Sequence, residues 1–136
     1  MIIADTSGLL ASFNDREPQH QRVRRCLDET TEALVISPYV LAELDYLVST
    51  RIGVAAEVAM LRELTSPAYD LATVSAADLA AVADIVERYH ESNIGLTDAS
   101  LVVLAGRYRT HRILTLDHRH FLALRALDGK RFELCP

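Results

Sequence analysis

The sequence predicts a parallel α/β sheet built as one domain. Short apolar runs alternate with stretches of helical period, the alternation meets no linker, repeat or low-complexity segment, and 136 residues at 50% hydrophobic composition suffice for one core. A chain of this size buries roughly two thirds of its unfolded surface.

The apolar run Met1 to Ala4 predicts the first strand, and a short helix follows from Ser7 to about Phe13. Asn14 to Pro18 is a turn, and Val23 and Leu27 mark the inner stripe of a helix over Gln19 to Glu29. Leu34 to Ile36 is the second strand. Ser37 and Pro38 then supply the N-cap and first residue of a helix running to about Ile52, where Gly53 stops it. Val54, Val58, Leu61 and Leu64 repeat at helical spacing. Tyr69 to Val74 is the third strand, and Leu79, Val82, Val86 and Tyr89 form one face of the next helix. Thr97 reads as the N-cap of the most apolar helix, which reaches Gly106. Ile113 to Leu116 is the fourth strand and Phe132 to Leu134 a short edge strand.

Several function classes are excluded at this stage. No apolar run reaches the ~18 residues of a spanning helix, and Met-Ile-Ile-Ala-Asp lacks the basic start of a signal peptide, so a cytoplasmic protein with no membrane partner is expected. Cys26 and Cys135 have neither zinc-ligand spacing nor the density of a disulfide scaffold, and free thiols are expected. A net charge of -5 argues against indiscriminate nucleic-acid binding. The basic residues are nonetheless clustered, at Arg107, Arg109 and Arg112 and again at His118, Arg119 and His120. Arginine suits phosphate contacts better than lysine.

Four acids stand out. Asp5 follows the first strand, Asp98 opens the most apolar helix, and Asp117 follows the fourth strand, all at the carboxyl end of the sheet where open α/β folds place their sites. Helix capping explains any one of them, at under ~1 kcal/mol for an exposed site. Glu43 is harder to explain by local structure. Its neighbours three and four residues away are Tyr39, Val40, Tyr46 and Leu47, which puts it on an apolar stripe, and a lone buried carboxylate costs several kcal/mol. Four converging acids repel one another unless a cation neutralises them. An all-oxygen set suits a hard divalent ion, Mg²⁺ or Mn²⁺ in its place, and such an ion activates water for attack on a phosphodiester.

These residues resemble the PIN-domain ribonucleases, and among them the VapC toxins of bacterial toxin–antitoxin pairs. Asp5-Thr-Ser7 with Leu9-Leu-Ala11 is similar to the first motif of that family, Val40-Leu-Ala-Glu43-Leu to the second, Gly95-Leu-Thr-Asp98-Ala to the third, and Thr115-Leu-Asp117 to the fourth. The resemblance covers the whole chain. It implies a PIN-like five-stranded parallel sheet flanked by helices on both faces, Mg²⁺- or Mn²⁺-dependent RNA cleavage, a homodimer, and inhibition by a small VapB-like antitoxin. Asp5, Glu43, Asp98 and Asp117 would form the acidic, metal-holding cluster, with Ser7 as a polar group that positions a ligand or water. No further acid lies within Gly95 to Ala105 to suggest a second metal.

Two further surfaces are expected. Arg107, Arg109, Arg112, His118 and Arg119 flank the third and fourth motifs, so they should line the same sheet end and hold a structured RNA, ribosomal or transfer, cut in an exposed loop. Tyr39, Tyr46, Leu47, Val58 and Leu61 exceed what one core-facing stripe requires and predict an apolar groove for the antitoxin. A receiver domain, the nearest binding module of similar size, is excluded because Asp5 has no acidic neighbour and the third strand runs into Thr73-Val-Ser75 without a phosphorylatable acid. His118 and His120, two apart, share no helical face and do not suggest zinc.

Overall fold

A computed structural model describes residues 1–136. Its centre is a five-stranded, fully parallel sheet in the order β3-β2-β1-β4-β5. The strands are β1 (Ile2–Ala4), β2 (Leu34–Ile36), β3 (Tyr69–Leu71), β4 (Arg112–Leu114) and β5 (Glu133–Cys135). Helices α1 (Thr6–Phe13), α2 (His20–Asp28), α3 (Pro38–Arg51) and α4 (Val54–Glu63) lie in the crossovers to β2 and β3, and α5 (Ala76–Arg88), α6 (Leu96–Arg107) and α7 (His118–Ala123) in those to β4 and β5. Right-handed crossovers put the first four on one face and the last three on the other.

The sequence accounts for these elements locally. β1 and β2 are buried throughout, as apolar runs covered on both faces must be. Ser37 caps α3 by accepting from the Tyr39 amide, with Pro38 at the first helical position. Ser75 and Asp78 make a reciprocal capping box at the start of α5. The predicted stripe of α2 holds, with Val23 fully buried and Leu27 half-buried against the core.

Other expectations need correction. The inner stripe of α4 is Ala56, Met60 and Leu64, four apart, so Val54, Val58 and Leu61 turn outward. On α5 the buried pair is Val82 and Ile85, while Leu79 is exposed a turn before the packed region. β3 ends at Leu71 and β4 at Leu114, each short of its apolar run. Cys26 and Cys135 are not free thiols: their Cα atoms lie 6.5 Å apart and they form a disulfide between α2 and the edge strand. Nothing local announces that pairing across a separation of 109 residues, because tertiary packing alone makes it.

One close approach sets the position of the site. Gly8, in the first turns of α1, faces Leu114 at the end of β4, and a Cβ there would sit 2.7 Å from Leu114 Cγ and 2.9 Å from its carbonyl oxygen. The backbone oxygen cannot swing aside. Gly106, by contrast, meets only the flexible tip of Leu127. Gly8→Ala should therefore cost about 1–3 kcal/mol in a denaturant melt, by forcing α1 off β4, while Gly106→Ala should cost less. Equal and negligible costs would contradict this packing.

Candidate active site

An open sheet leaves a crevice where two neighbouring strands send their chains in opposite directions. Here those strands are β1 and β4, and Asp5 and Asp117 follow them by one and three residues. Asp5 is 7% exposed and is the N-cap residue of α1, yet its side chain makes no capping bond. Its Oδ2 instead accepts from Ser7 Oγ at 2.9 Å and from Thr115 Oγ1 at 2.8 Å. Those hydroxyls in turn accept the backbone N–H groups of Leu116 and Asp117, each at 2.9 Å. Both hydroxyl protons point at Asp5, so the 3.3 Å between Ser7 and Thr115 is a contact and not a further bond. Asp5 Oδ1 accepts no hydrogen bond from the protein, and Asp5 lines the cavity described below.

Asp98 is the third residue of α6, whose N-cap is Gly95 and not Thr97. The acid does lie in the first turn, where the helix dipole favours it, but its surroundings dominate. Burial, then the charge of Asp5, with smaller contributions from Asp117 and Glu43, push its carboxyl up to about 6, and His120 alone opposes them. The Nδ1 of His120 is 2.9 Å from Asp117 Oδ2 and 3.5 Å from Asp98 Oδ2. Asp117 also does an ordinary capping job, accepting from the His120 amide at 3.3 Å. A buried hydroxyl pair, Ser37 to Ser100 at 2.9 Å, fixes the start of α3 against α6.

Glu43 belongs to the cluster for a different reason from the expected one. The inner stripe of α3 is Val40, Leu44 and Val48, and Glu43 is exposed. It stands at the mouth of a cavity of about 500 Å³ that Asp5, Asp98 and Asp117 also line. A solvated carboxylate at a rim needs no partner, so burial cost does not explain it. The same cavity is bordered by Thr6, Arg51 and His120, none of which the motifs singled out. Thr6 Oγ1 is the one buried side-chain polar atom without a partner, which leaves a hydrogen bond for whatever fills the space beside it. For His120 a signal existed, since it lies three residues after Asp117 on one helical face.

The donors fit a hard divalent cation: they are carboxylate oxygens, and the charges of Asp5, Asp117 and Glu43 add to burial in raising the Asp98 carboxyl. No three carboxylates or imidazoles gather around a common ligating point. Mg²⁺ commonly takes one or two carboxylates and completes its shell with waters. Asp5 and Asp98 are the two best placed to hold it, with Asp117 and Glu43 at the periphery.

The expected RNA-contacting residues divide. His118 and Arg119 stand on α7 beside Asp117, although His118 Nε2 is already 3.1 Å from the carbonyl of Pro136. Arg107, Arg109 and Arg112 do not line the cavity. Arg107 ends α6, roughly 14 Å along the helix from Asp98 at 1.5 Å per residue, and is bonded to the Thr73 carbonyl and Asp78. Arg109 borders a separate cavity of about 300 Å³ with His111 and Asp128. Arg112 begins β4, at its amino end, and pairs with Glu32. Closeness in sequence to a motif misled here because α6 and β4 each carry the chain away from the motif to the opposite end. The expected apolar groove residues are outside the core: Tyr46 is 66% exposed, Val58 and Leu61 are 41% exposed, and Tyr39 and Leu47 are half-buried.

Comparison with known proteins adds four findings. The sequence profile described as PIN domain matches residues 2–127. Ribonuclease VapC26 of Mycobacterium tuberculosis (strain ATCC 25618 / H37Rv) is 56% identical over 135 residues, 99% of this chain and 100% of that protein. Among solved structures, Mycobacterium tuberculosis VapC20, described as a sarcin-ricin loop cleaving toxin, superposes with a TM-score of 0.83 at 22% identity over 90% of this chain and 95% of its own. A toxin–antitoxin complex from Klebsiella pneumoniae gives 0.72 at 16% identity, covering 91% and 92%.

The raised Asp98 carboxyl has a consequence for stability. Its folded value of about 6 exceeds the reference 3.8, so the fold binds this proton more tightly than the unfolded chain does. The stabilisation is full below the unfolded value and is lost as pH rises through the folded one. In chelator at neutral pH, Asp98→Asn should therefore raise the Tm, and the gain should vanish near pH 4, as read by thermal melts across that window. A lower Tm for Asp98→Asn at neutral pH would contradict the electrostatics described.

Proposed function

The chain belongs to the PIN-domain family and, within it, to the VapC ribonuclease toxins, and from this premise we propose that it is a Mg²⁺- or Mn²⁺-dependent endoribonuclease acting on a loop of structured RNA. The observation that carries the reading is the convergence of Asp5, Glu43, Asp98 and Asp117 on one cavity at the switch point of the sheet. A divalent ion held there supplies the Lewis acidity that activates water and offsets charge on the leaving oxygen.

The protein's own groups do the positioning. Ser7 and Thr115 fix one oxygen of Asp5, so the other presents a defined direction to the cavity. Burial and the neighbouring acids push the Asp98 carboxyl up to about 6, so its ionised form predominates at neutral pH. His120, when protonated, offsets part of the charge of Asp117 and Asp98. Selection among RNAs would rest on loop shape and splayed bases, because A-form grooves hide base edges from side chains. A ribosomal or transfer RNA loop is the proposed target.

The proposed partners follow from the same membership. A VapB-like antitoxin would cover the exposed apolar surface of α3 and α4 at Tyr46, Val58 and Leu61, together with half-buried Tyr39 and with Leu47 at the cavity wall, and the toxin would act as a homodimer. No helix is long and apolar enough to cross a membrane.

The test is cleavage of purified ribosomal RNA, transfer RNA and a sarcin–ricin stem-loop, with RNA ends sequenced. Chelator should abolish cleavage and Mg²⁺ or Mn²⁺ restore it. Asp5→Asn, Glu43→Gln and Asp98→Asn should each lower kcat/KM by about 100-fold or more, since even the outer supports of a metal site are worth 10–100-fold. Asp117→Asn should cost less, because Asp117 is already engaged by His120 and by the cap of α7. Undiminished cleavage by Asp98→Asn, or cleavage in excess chelator, would overturn the assignment.

A further inference from the structure

The acidic cavity poses an electrostatic difficulty for any RNA that enters it. Four carboxylates repel a phosphate backbone everywhere except at a bound cation; Arg107 and Arg112 are elsewhere, paired with Asp78 and Glu32, and Arg119, on α7 beside Asp117, does not line the cavity. Among the residues lining the cavity, Arg51 alone carries a permanent positive charge. We propose that Arg51 binds the RNA phosphate next to the bond that is cut and is the main cationic anchor for substrate in the cleft. The inference rests on the ribonuclease reading above.

Arg51 is the last residue of α3, which also supplies Glu43. The two are roughly 12 Å apart along the helix axis. That is too far for the guanidinium to share an ion site with Glu43, yet both side chains border the same cavity. A basic residue in a last helical turn is favoured by the helix dipole, but that gain does not require it to face the acids. Its guanidinium takes part in no hydrogen bond or ion pair, whereas Arg24, Arg107 and Arg112 each hold a carboxylate. The other basic residue of the cavity, His120, is already engaged by Asp98 and Asp117. An unpaired planar guanidinium offers a phosphate two parallel hydrogen bonds, which lysine does not. Exposed on the helix end, Arg51 can be replaced without disturbing the core.

The experiment uses the full-length protein and a fluorescein-labelled ribosomal RNA stem-loop. Binding is read by anisotropy in chelator over a salt series, and cleavage by steady-state kinetics with Mn²⁺. Arg51→Ala should weaken binding about tenfold, the value of one charge-assisted contact, and reduce the steepness of the salt dependence by roughly 0.7, the single-strand increment per phosphate. KM should rise by a similar factor while kcat moves by less than about threefold, the pattern of lost uniform binding. Arg51→Lys should recover part of the affinity and the whole salt slope. Unchanged Kd and slope in Arg51→Ala, or a wild-type protein that does not bind the RNA at all, would overturn the proposal. A wild-type protein that binds but never cleaves would instead overturn the ribonuclease reading, while the binding series would still decide the role of Arg51.

Discussion

Two hydroxyl groups, Ser7 on α1 and Thr115 after β4, point their protons at one oxygen of Asp5. That convergence ties together the three segments that meet where the sheet reverses its winding. It also converts a residue in the capping position of a helix into one whose carboxylate is turned from the helix toward the cleft. The constraint reaches beyond the site, because Gly8 must lack a side chain for α1 to come near enough to Leu114 for the hydroxyls to meet. Close backbone packing and the orientation of one carboxylate are thus a single structural fact.

Gathering charge at such a point has a cost that the fold does not fully offset. Asp98 reports it, since burial and three neighbouring acids hold its proton well above the ordinary carboxylate range. One imidazole, His120, is the only opposing group among the causes of that shift. A cleft with this imbalance is poor at holding itself together and well suited to holding a cation, and the stability of the empty protein is traded against readiness to bind. Cys135, disulfide-bonded to Cys26, adjoins the same region, since its carbonyl accepts from the Thr115 amide at 2.9 Å.

Much of this was legible in the sequence, and unevenly so. The places of the strands along the chain followed from apolar runs, although their order in the sheet did not, and Asp5, Asp98 and Asp117 followed from their places after strands or at a helix start, because chain direction alone brings strand ends to one rim. Glu43 was found by its setting among Tyr39, Val40, Tyr46 and Leu47, although the helix buries Val40 and Leu44 instead and leaves the acid exposed at the mouth. The helical period does not say which side of an apolar stripe faces inward. Arg107 and Arg112 were misplaced because neighbours of a motif in sequence are carried off by the elements between them. Arg51 carried no signal, being a common kind of residue in the last turn of a helix, and only the shared cavity identifies it.

The central claim is that this acidic cavity holds a divalent cation on Asp5 and Asp98, with Glu43 and Asp117 at its edge. Anomalous diffraction from a crystal soaked in Mn²⁺ tests it most directly. The account predicts an anomalous peak inside the cavity, against the free oxygen of Asp5 and the carboxylate of Asp98, and its disappearance in Asp98→Asn. A well-ordered crystal in which Mn²⁺ binds elsewhere, or not at all in this cavity, would contradict it.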